Sequence, residues 1–299
     1  MTFNEGVRAD SGRVRTSRGG GRGLAIGGGL GGGGLVLVVV VMLLTGQNPA
    51  SLLGGGGDTT GQGAEPGIDL SHCQTGADAN EHTECRMVLT ADALDVHWDG
   101  VMAEQTSQDY VMPGFEIFQD SVATGCGSAT AAVGPFYCPP DSSVYLDLGF
   151  FDQLETQLGA QNAPLAQMYI VAHEWGHHAQ HSLGTMEGAD RTDTGPSGDA
   201  VRLELQADCY AGMFIGDAAT TVDPDSGETF LQQPTAAEVR TALDAAAAVG
   251  DDRIQESAGQ EVSPHSWTHG SAEQRMNWFV TGYEQGTLQA CDTFAVQTP

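Results

Sequence analysis

Residues 162–184 limit the fold of this chain more than any other stretch. Apolar residues recur there at helical spacing, at Leu165, Met168, Tyr169 and Ala172. Asn162 and Pro164 offer an N-terminal cap and a first-turn proline, and Gly184 follows the last residue of the pattern. A strand would alternate with a period of two, so the spacing predicts a helix of about five turns.

The predicted helix contains an H-E-x-x-H motif formed by His173, Glu174 and His177. Residues at i and i+4 lie one above the other on a helix, so both imidazoles can bind one ion, with Glu174 beside them. Such a histidine pair binds Zn²⁺, and the glutamate takes a proton from the water that the ion activates. The motif therefore predicts zinc-dependent hydrolysis with Glu174 as the catalytic base. A solvated, histidine-rich helix is the alternative.

A catalytic zinc site needs a third protein ligand and a position left for water. The residues after His177 lack the G-x-x-H spacing that would supply this ligand nearby. Glu204, in LELQADCYAG, is the candidate, because Glu204 and Asp208 share one face of a second predicted helix. Asp208 is then predicted to accept the other N–H of a ligand histidine. For both residues, a surface carboxylate is the alternative.

Other residues near these motifs have separate interpretations. His181 lies two turns from His173, too far for one compact site, so His178 and His181 are predicted to be polar residues at the surface or the rim. His269, in SWTHGSAEQR, is a catalytic candidate that could donate an N–H to a tetrahedral oxyanion, and a structural histidine is the alternative. Gly176, a poor helix former, is predicted to let another element approach closely.

The N-terminal region predicts a membrane anchor. Residues 23–46 contain no charged residue and follow a cluster of arginines. About 22 helical residues cross a ~30 Å hydrocarbon core, so residues 24–45 are predicted to be an uncleaved signal anchor, with a cleaved signal peptide as the alternative. The arginines predict a cytoplasmic tail at residues 1–23, a single pass through the cell membrane and an extracytoplasmic body. Residues 46–68 predict a flexible linker, followed by a catalytic domain at 69–299.

Net charge narrows the range of partners. The formal net charge is -28, and the chain contains no lysine. Nucleic acids and anionic membrane surfaces both require a basic face on the protein that binds them. The composition therefore argues against a nucleic-acid partner, and the acidity is typical of a soluble exported domain.

The cysteines agree with an exported body. All six follow the apolar segment, and an even number outside the cytoplasm favours disulfides, although six cysteines allow about 15 pairings. Spacing favours two local bridges, Cys73 with Cys85 and Cys126 with Cys138, which leaves Cys209 to pair with Cys291 by elimination. A metal site built from cysteines is the alternative, but no C-x-x-C occurs.

The remaining stretches predict strands followed by helices. Residues rich in β-formers predict strands within 86–98, 109–120 and 142–151. Helical spacing returns within 201–219, 235–255 and 271–286. Strands followed by helices are typical of an α+β domain.

Five blocks occur in a consistent order: GCGSATAAVGPFYCPPDSSVYLDLGFF, VAHEWGHHAQ, LELQADCYAG, AVGDDRIQ and THGSAEQR. Together they resemble the putative neutral zinc metallopeptidase family of bacteria, over about residues 70–295. The resemblance implies a zincin-like α+β metallopeptidase domain that acts on peptides or proteins. It implies that His173 and His177 bind zinc and that Glu174 is the base.

The resemblance also bears on residues outside the H-E-x-x-H motif. The E-x-x-x-D pair is similar to that of gluzincins, which supports Glu204 as a ligand with Asp208 beside it. It implies that SVYLDL, residues 143–148, is an edge strand along which an extended substrate lies. An acidic insert at residues 187–199 and the glycine-rich anchor depart from the family pattern. A non-catalytic, zinc-stabilised envelope binding protein and a zinc amidase acting on cell-wall material stay open as alternatives.

Overall fold

The computed structural model describes residues 2–19 and 67–299. The predicted anchor at 24–45 and nearly all of the predicted linker at 46–68 lie outside these residues. Within the described part, no helix has both the length and the apolar composition that a membrane crossing needs. The described residues form an α+β fold, as the sequence predicts, and the anchor stays a prediction.

A four-stranded sheet and a two-stranded sheet form the β part. The strands are β1 (Val14–Arg18), β2 (Gly114–Gln119), β3 (Ser121–Thr124), β4 (Gly127–Thr130), β5 (Phe136–Cys138) and β6 (Ser143–Asp147). The larger sheet has the order β1-β2-β6-β5, and β3 pairs with β4. In the larger sheet β1, β2 and β6 are parallel, whereas β5 runs antiparallel to β6.

The position of β6 contradicts one expectation. Residues 143–147 pair with β2 on one side and with β5 on the other, so the prediction of SVYLDL as an edge strand is wrong. Every residue of β6 is buried, as expected for a strand with neighbours on both sides. The antiparallel strand β5 occupies that edge instead, and its residues Phe136 and Tyr137 line the cleft described below.

Helices make up the rest of the fold. They are α1 (Gly76–Glu81), α2 (Thr83–Gln105), α3 (Gly149–Leu158), α4 (Pro164–Leu183), α5 (Thr185–Gly188), α6 (Asp199–Asp217), α7 (Ala236–Ala248), α8 (Asp251–Ser257) and α9 (Ala272–Gln285). The strand predicted within 142–151 therefore ends at Asp147, and the helix predicted within 235–255 is divided into α7 and α8.

The strand predicted at residues 86–98 is wrong, because this stretch lies within α2. Residues 85–91 of α2 are all buried, so the helix contacts the core on more than one side. A helix shows a 3.6-residue apolar stripe only when one of its faces meets solvent. Burial around α2 removes this stripe and leaves a sequence that resembles a strand.

Helix α4 follows the prediction closely. It begins at Pro164 and ends before Gly184, whose φ of 78° closes the helix in the left-handed region that glycine adopts readily. The N-terminal cap position belongs to Ala163 rather than to Asn162. The Asn162 side chain instead accepts a hydrogen bond from the Gln167 amide at 2.6 Å.

The N-terminal residues are part of the domain. Strand β1 pairs with β2, and Phe3 and Val7 are fully buried in the main core. Arg13 forms an ion pair with Asp95 of α2. A tail across a membrane from the body could not make these contacts. Residues 3–18 therefore belong to the fold and do not form the separate cytoplasmic tail predicted for residues 1–23.

The predicted disulfide pairing is confirmed. The bridges are Cys73–Cys85, Cys126–Cys138 and Cys209–Cys291. The first attaches the segment before α1 to the start of α2, and the second closes the loop around β4 and β5. The third ties the C-terminal segment to α6, across 82 residues of chain. No cysteine in the described part is free.

Helices α6 and α9 touch backbone to backbone. A Cβ added at Gly282 would lie 1.8 Å from the Cys209 carbonyl oxygen, and one at Gly212 would lie 2.1 Å from that of Phe279. Only glycine permits this separation. The contact fixes α9 against α6, the helix that carries Glu204 and Asp208.

Candidate metal centre

The histidines of α4 meet a carboxylate of α6. The imidazole rings of His173 and His177 have centroids 4.8 Å apart. Glu204 Oε2 lies 3.2 Å from His173 Nε2, and Glu204 Oε1 lies 3.5 Å from His177 Nε2. One ligand atom from each of the three residues lies within 4.8 Å of the others, so a single ion could contact all three. The structure thus brings together the three predicted ligands.

Small residues allow the two helices to come this close. A Cβ added at Gly176 would lie 3.0 Å from both the Cα and the carbonyl oxygen of Ala207, tighter than an ordinary van der Waals contact. The close approach predicted for Gly176 is therefore present, and its partner is the helix that carries the third candidate ligand.

Both histidines have their Nδ1 atoms held by acceptors. His173 Nδ1 lies 2.8 Å from Asp208 Oδ1, and His177 Nδ1 lies 2.9 Å from Gln180 Oε1. An acceptor at Nδ1 keeps the proton on that nitrogen and leaves a lone pair on Nε2, the atom that faces Glu204. Two imidazole nitrogens and a carboxylate form a donor set that zinc prefers, so the residues fit this ion.

The electrostatics of the donor set favour positive charge. Burial would lower the pKa of His173, but the carboxylates of Asp208 and Glu204 outweigh burial and raise it to about 10. Burial would raise the pKa of Glu204, but His177, His173 and His269 outweigh burial and lower it. A bound cation would take the place of the proton that these carboxylates hold on His173, so metal binding should weaken as the pH falls.

Asp208 is fully buried and is held from several sides. Arg275 of α9 donates to both of its oxygens, at 2.7 and 2.9 Å, and the Tyr169 hydroxyl also donates to Asp208. Arg275 is itself buried and donates to the Val249 carbonyl. The sequence analysis did not identify Arg275, although it lies in the block THGSAEQR. Its role depends on the packing of α9, which no local pattern reveals.

A second carboxylate holds the opposite side of α4 in the same way. Asp95 accepts hydrogen bonds from the Trp175 indole N–H at 3.0 Å and from the Tyr110 hydroxyl at 2.7 Å. It also pairs with Arg13, whose guanidinium lies 5.2 Å from the centre of a Trp175 ring. Each buried carboxylate thus binds an arginine, a tyrosine and a ring N–H of α4, but only Asp208 contacts a candidate ligand.

Glu174 and His269 both line the cleft beside the donor set, and both are buried. Burial raises the pKa of Glu174, although His177 and His173 act in the opposite direction. His269 Nδ1 lies 3.2 Å from Asp251 Oδ1, which leaves the Nε2 atom for other partners. Asp251 also accepts the backbone N–H groups of residues 268–270, so it fixes the loop as well as the ring. The sequence analysis missed Asp251.

His178 and His181 take no part in the donor set. His178 is buried, contrary to the expected position at the surface or the rim. Its Nε2 atom contacts the Val111 carbonyl, and its Nδ1 atom contacts the Tyr137 hydroxyl. His181 is partly exposed and contacts the same hydroxyl at 2.7 Å. His178 therefore connects α4 to strand β5 and to the loop before β2, and His181 connects α4 to β5.

The cleft that contains the donor set is mostly apolar. Its apolar lining includes Val133, Phe136, Phe150, Ile170, Met186 and Leu203. An apolar cleft with a few polar groups is typical of a binding site for an organic substrate.

Comparison with known proteins identifies the family of this chain. The family model described as putative neutral zinc metallopeptidase matches residues 4–294. The uncharacterized protein Rv2575 of Mycobacterium tuberculosis is 47% identical over 230 residues, 77% of each chain. The uncharacterized protein YpfJ of Escherichia coli K12 is 34% identical over 246 residues, 76% of this chain and 81% of YpfJ. No solved structure matches the chain. The chain therefore belongs to the putative neutral zinc metallopeptidase family.

Proposed function

We propose that this chain is a zincin-like, extracytoplasmic zinc metallopeptidase that hydrolyses peptide bonds. One observation carries the proposal. Two imidazole nitrogens and the Glu204 carboxylate converge within 4.8 Å at the base of an open cleft, and the buried carboxyl group of Glu174 lines the same cleft. A protein that used zinc only for stability would need the ligands but would not need an additional buried carboxyl group beside them.

The proposed zinc ligands are His173, His177 and Glu204. Zinc bound there supplies Lewis acidity, which activates water and polarises the substrate carbonyl. Glu174 takes the proton of the attacking water and returns it to the leaving amine. Burial raises the pKa of Glu174, and a raised pKa suits a carboxyl group that both accepts and donates a proton. Asp208 keeps the His173 ring in the orientation that directs Nε2 to the metal.

His269 is the proposed donor to the oxyanion that develops on the substrate. Asp251 holds its Nδ1 atom, and the ring lines the cleft next to the donor set. As an imidazolium, with Nδ1–H donated to Asp251, the ring could also donate a hydrogen bond from Nε2 to negative charge in the cleft. Its loop is fixed by three backbone hydrogen bonds to Asp251, so the donor needs little reorganisation.

Strand β5 is the proposed binding edge for the peptide backbone. It lies at the edge of the larger sheet, and Phe136 and Tyr137 line the cleft. An extended peptide that pairs with an open strand gains main-chain hydrogen bonds without a fixed side-chain sequence. The apolar lining then offers contacts for side chains on both sides of the scissile bond.

The three disulfides support an extracytoplasmic location, because such bridges persist in oxidising compartments. Residues 3–18 share the fold with the bridged body, so they are proposed to lie in the same compartment. A single membrane pass through residues 24–45 would place residues 3–18 and the body on opposite sides, so it is an alternative to this arrangement and stays a prediction.

The test compares the zinc-loaded full chain with its Glu174→Gln variant on a diverse peptide mixture, read by mass spectrometry. The full chain is used because residues 3–18 belong to the fold. The variant should keep one zinc ion per chain and lose activity by about 10²–10⁴-fold, the usual contribution of a general base. Glu273→Gln, an exposed change on α9, is the matched control and should cut like the parent. Equal cleavage by Glu174→Gln and the parent would refute the mechanism.

A further inference from the structure

Arg191 differs from the other basic residue that lines the cleft. Among the described residues, the lining contains the guanidinium groups of Arg191 and Arg275. Asp208 neutralises Arg275 through two hydrogen bonds. No hydrogen bond or ion pair from any described residue reaches the side chain of Arg191, which is partly buried. Arg8, Arg15 and Arg240 also lack such a partner among the described residues, but of these four arginines only Arg191 lines the cleft.

The carboxylates nearest to Arg191 in sequence bind other groups. Glu187 contacts His181 at 3.3 Å, and Asp190 accepts from the backbone N–H and the hydroxyl of Thr192. Asp193 accepts from the backbone N–H of Asp199. No carboxylate of the acidic insert at residues 187–199 forms an ion pair with Arg191, and that arginine lines the cleft.

The turn that carries Arg191 is fixed at both ends. On one side the Asp190 N–H donates to Asp199 Oδ2 at 2.9 Å, next to the start of α6. On the other side the Gly195 N–H donates to the Trp267 carbonyl at 2.8 Å, and the Thr194 hydroxyl donates to the His265 carbonyl at 3.0 Å. Arg191 is thus attached both to the helix of Glu204 and to the loop of His269.

With zinc bound, the positive charge of Arg191 would have no opposite charge to balance it in the cleft lining. Two charges on a zinc ion would balance Glu174 and Glu204, and Asp208 balances Arg275. Arg191 then remains as the unbalanced charge of the cleft lining. Guanidinium groups bind carboxylates through two parallel N–H donors, a geometry that fixes both distance and orientation.

We propose that Arg191 binds a carboxylate of the peptide substrate and so makes the enzyme selective for peptides with an acidic group near the scissile bond. This inference rests on the proposed peptidase function. The carboxylate comes either from an Asp or Glu side chain or from the free C-terminus of a short peptide. The chemistry of recognition is the same for both sources.

The experiment uses sets of matched peptides around one cut site found in the peptide mixture. One set replaces Gln by Glu at each position near that site, with both termini blocked. The other keeps Gln and compares a free C-terminus with an amidated one. The parent chain should cut the best acidic peptide with a kcat/KM at least about tenfold above that of its neutral partner. The set that shows the preference identifies the source of the carboxylate.

Three variants test whether Arg191 causes the preference for acidic peptides. Arg191→Gln should lose the tenfold preference, mainly through KM, whereas Arg191→Lys should keep part of it because the positive charge is retained. Arg240→Gln is the matched control: it removes the same charge from an exposed site on α7, outside the cleft lining, and should keep the full preference. Binding of the same peptides to zinc-loaded Glu174→Gln chains, with and without Arg191→Gln, gives a readout that does not require cleavage.

The outcomes separate the two proposals. No preference in the parent, or an equal loss in Arg191→Gln and Arg240→Gln, would overturn the role of Arg191 while leaving the peptidase intact. Failure of the zinc-loaded parent to cut any peptide would instead overturn the proposed function, and the inference about Arg191 with it.

Discussion

Asp208 and Asp95 offer a paired test of what orients the metal ligands. Replacing Asp208 by Asn keeps the size of the side chain but removes the charge that binds Arg275 and faces His173 Nδ1. Replacing Asp95 by Asn removes an equivalent charge from Arg13, Tyr110 and Trp175. Both carboxylates are buried, but only Asp208 contacts a candidate ligand.

The contacts of each carboxylate determine how much its loss should change the unfolding free energy and the zinc affinity. Each substitution removes the carboxylate partner of an arginine, the buried Arg275 or the partly buried Arg13, and breaking a buried pair typically costs about 3–5 kcal/mol of unfolding free energy. Only Asp208→Asn also weakens the acceptor behind His173. Loss of such a partner usually lowers metal affinity by about 10–100-fold, or roughly 1.4–2.7 kcal/mol. Zinc affinity should therefore fall in Asp208→Asn and stay within about twofold of the parent in Asp95→Asn.

The assay measures stability by chemical denaturation without metal and measures zinc affinity by competition with a chelator under conditions where both variants are folded. Circular dichroism verifies the folded state in each sample. A zinc affinity equal to that of the parent in both variants would refute the orienting role of Asp208. A similar loss of affinity in both would show that general loosening of α4, rather than the contact with His173, controls the site.

Three further predictions concern packing, pH and topology. Gly282→Ala should destabilise the fold by about 3 kcal/mol or more, since its Cβ would meet backbone, whereas Gly100→Ala, in open space on α2, should stabilise it by up to ~1 kcal/mol. Burial raises the pKa of Asp92 from 3.8 to about 7, so its protonated form favours folding. The unfolding free energy relative to Asp92→Asn should therefore fall by about 1–2 kcal/mol from pH 4 to 7, allowing for partial exposure. Glu5→Cys and Glu284→Cys, both exposed, should label equally with an impermeant maleimide in intact cells.

Each of these predictions has a contradicting result. Equal denaturation midpoints for the two glycine variants would contradict the backbone contact of α6 and α9. A pH-independent difference between the parent and the Asn variant would contradict the raised pKa of Asp92. Labelling only at position 284 would show that the N-terminal residues lie across a membrane from the body, contrary to the pairing of β1 with β2.

The sequence by itself determined those features of the fold and of the site that depend on the spacing of nearby residues. A 3.6-residue period and an i, i+4 pair are sufficient to place His173, Glu174 and His177 on one helix, because neighbouring turns determine those positions. Close spacing along the chain also predicted two of the three disulfides. The same reasoning failed for residues 86–98, because burial on several sides removes the periodic signal from a helix.

Only the tertiary structure decided which distant groups meet. It placed Glu204 within 3.2 Å of His173, brought Arg275 to Asp208 and Asp251 to His269, and paired β1 with β2 across about a hundred residues of sequence. These contacts depend on how closely helices pack, as the backbone contact at Gly282 shows. Residue spacing along the chain carries no information about such distances, whereas the packed fold determines them and with them the chemistry of the site.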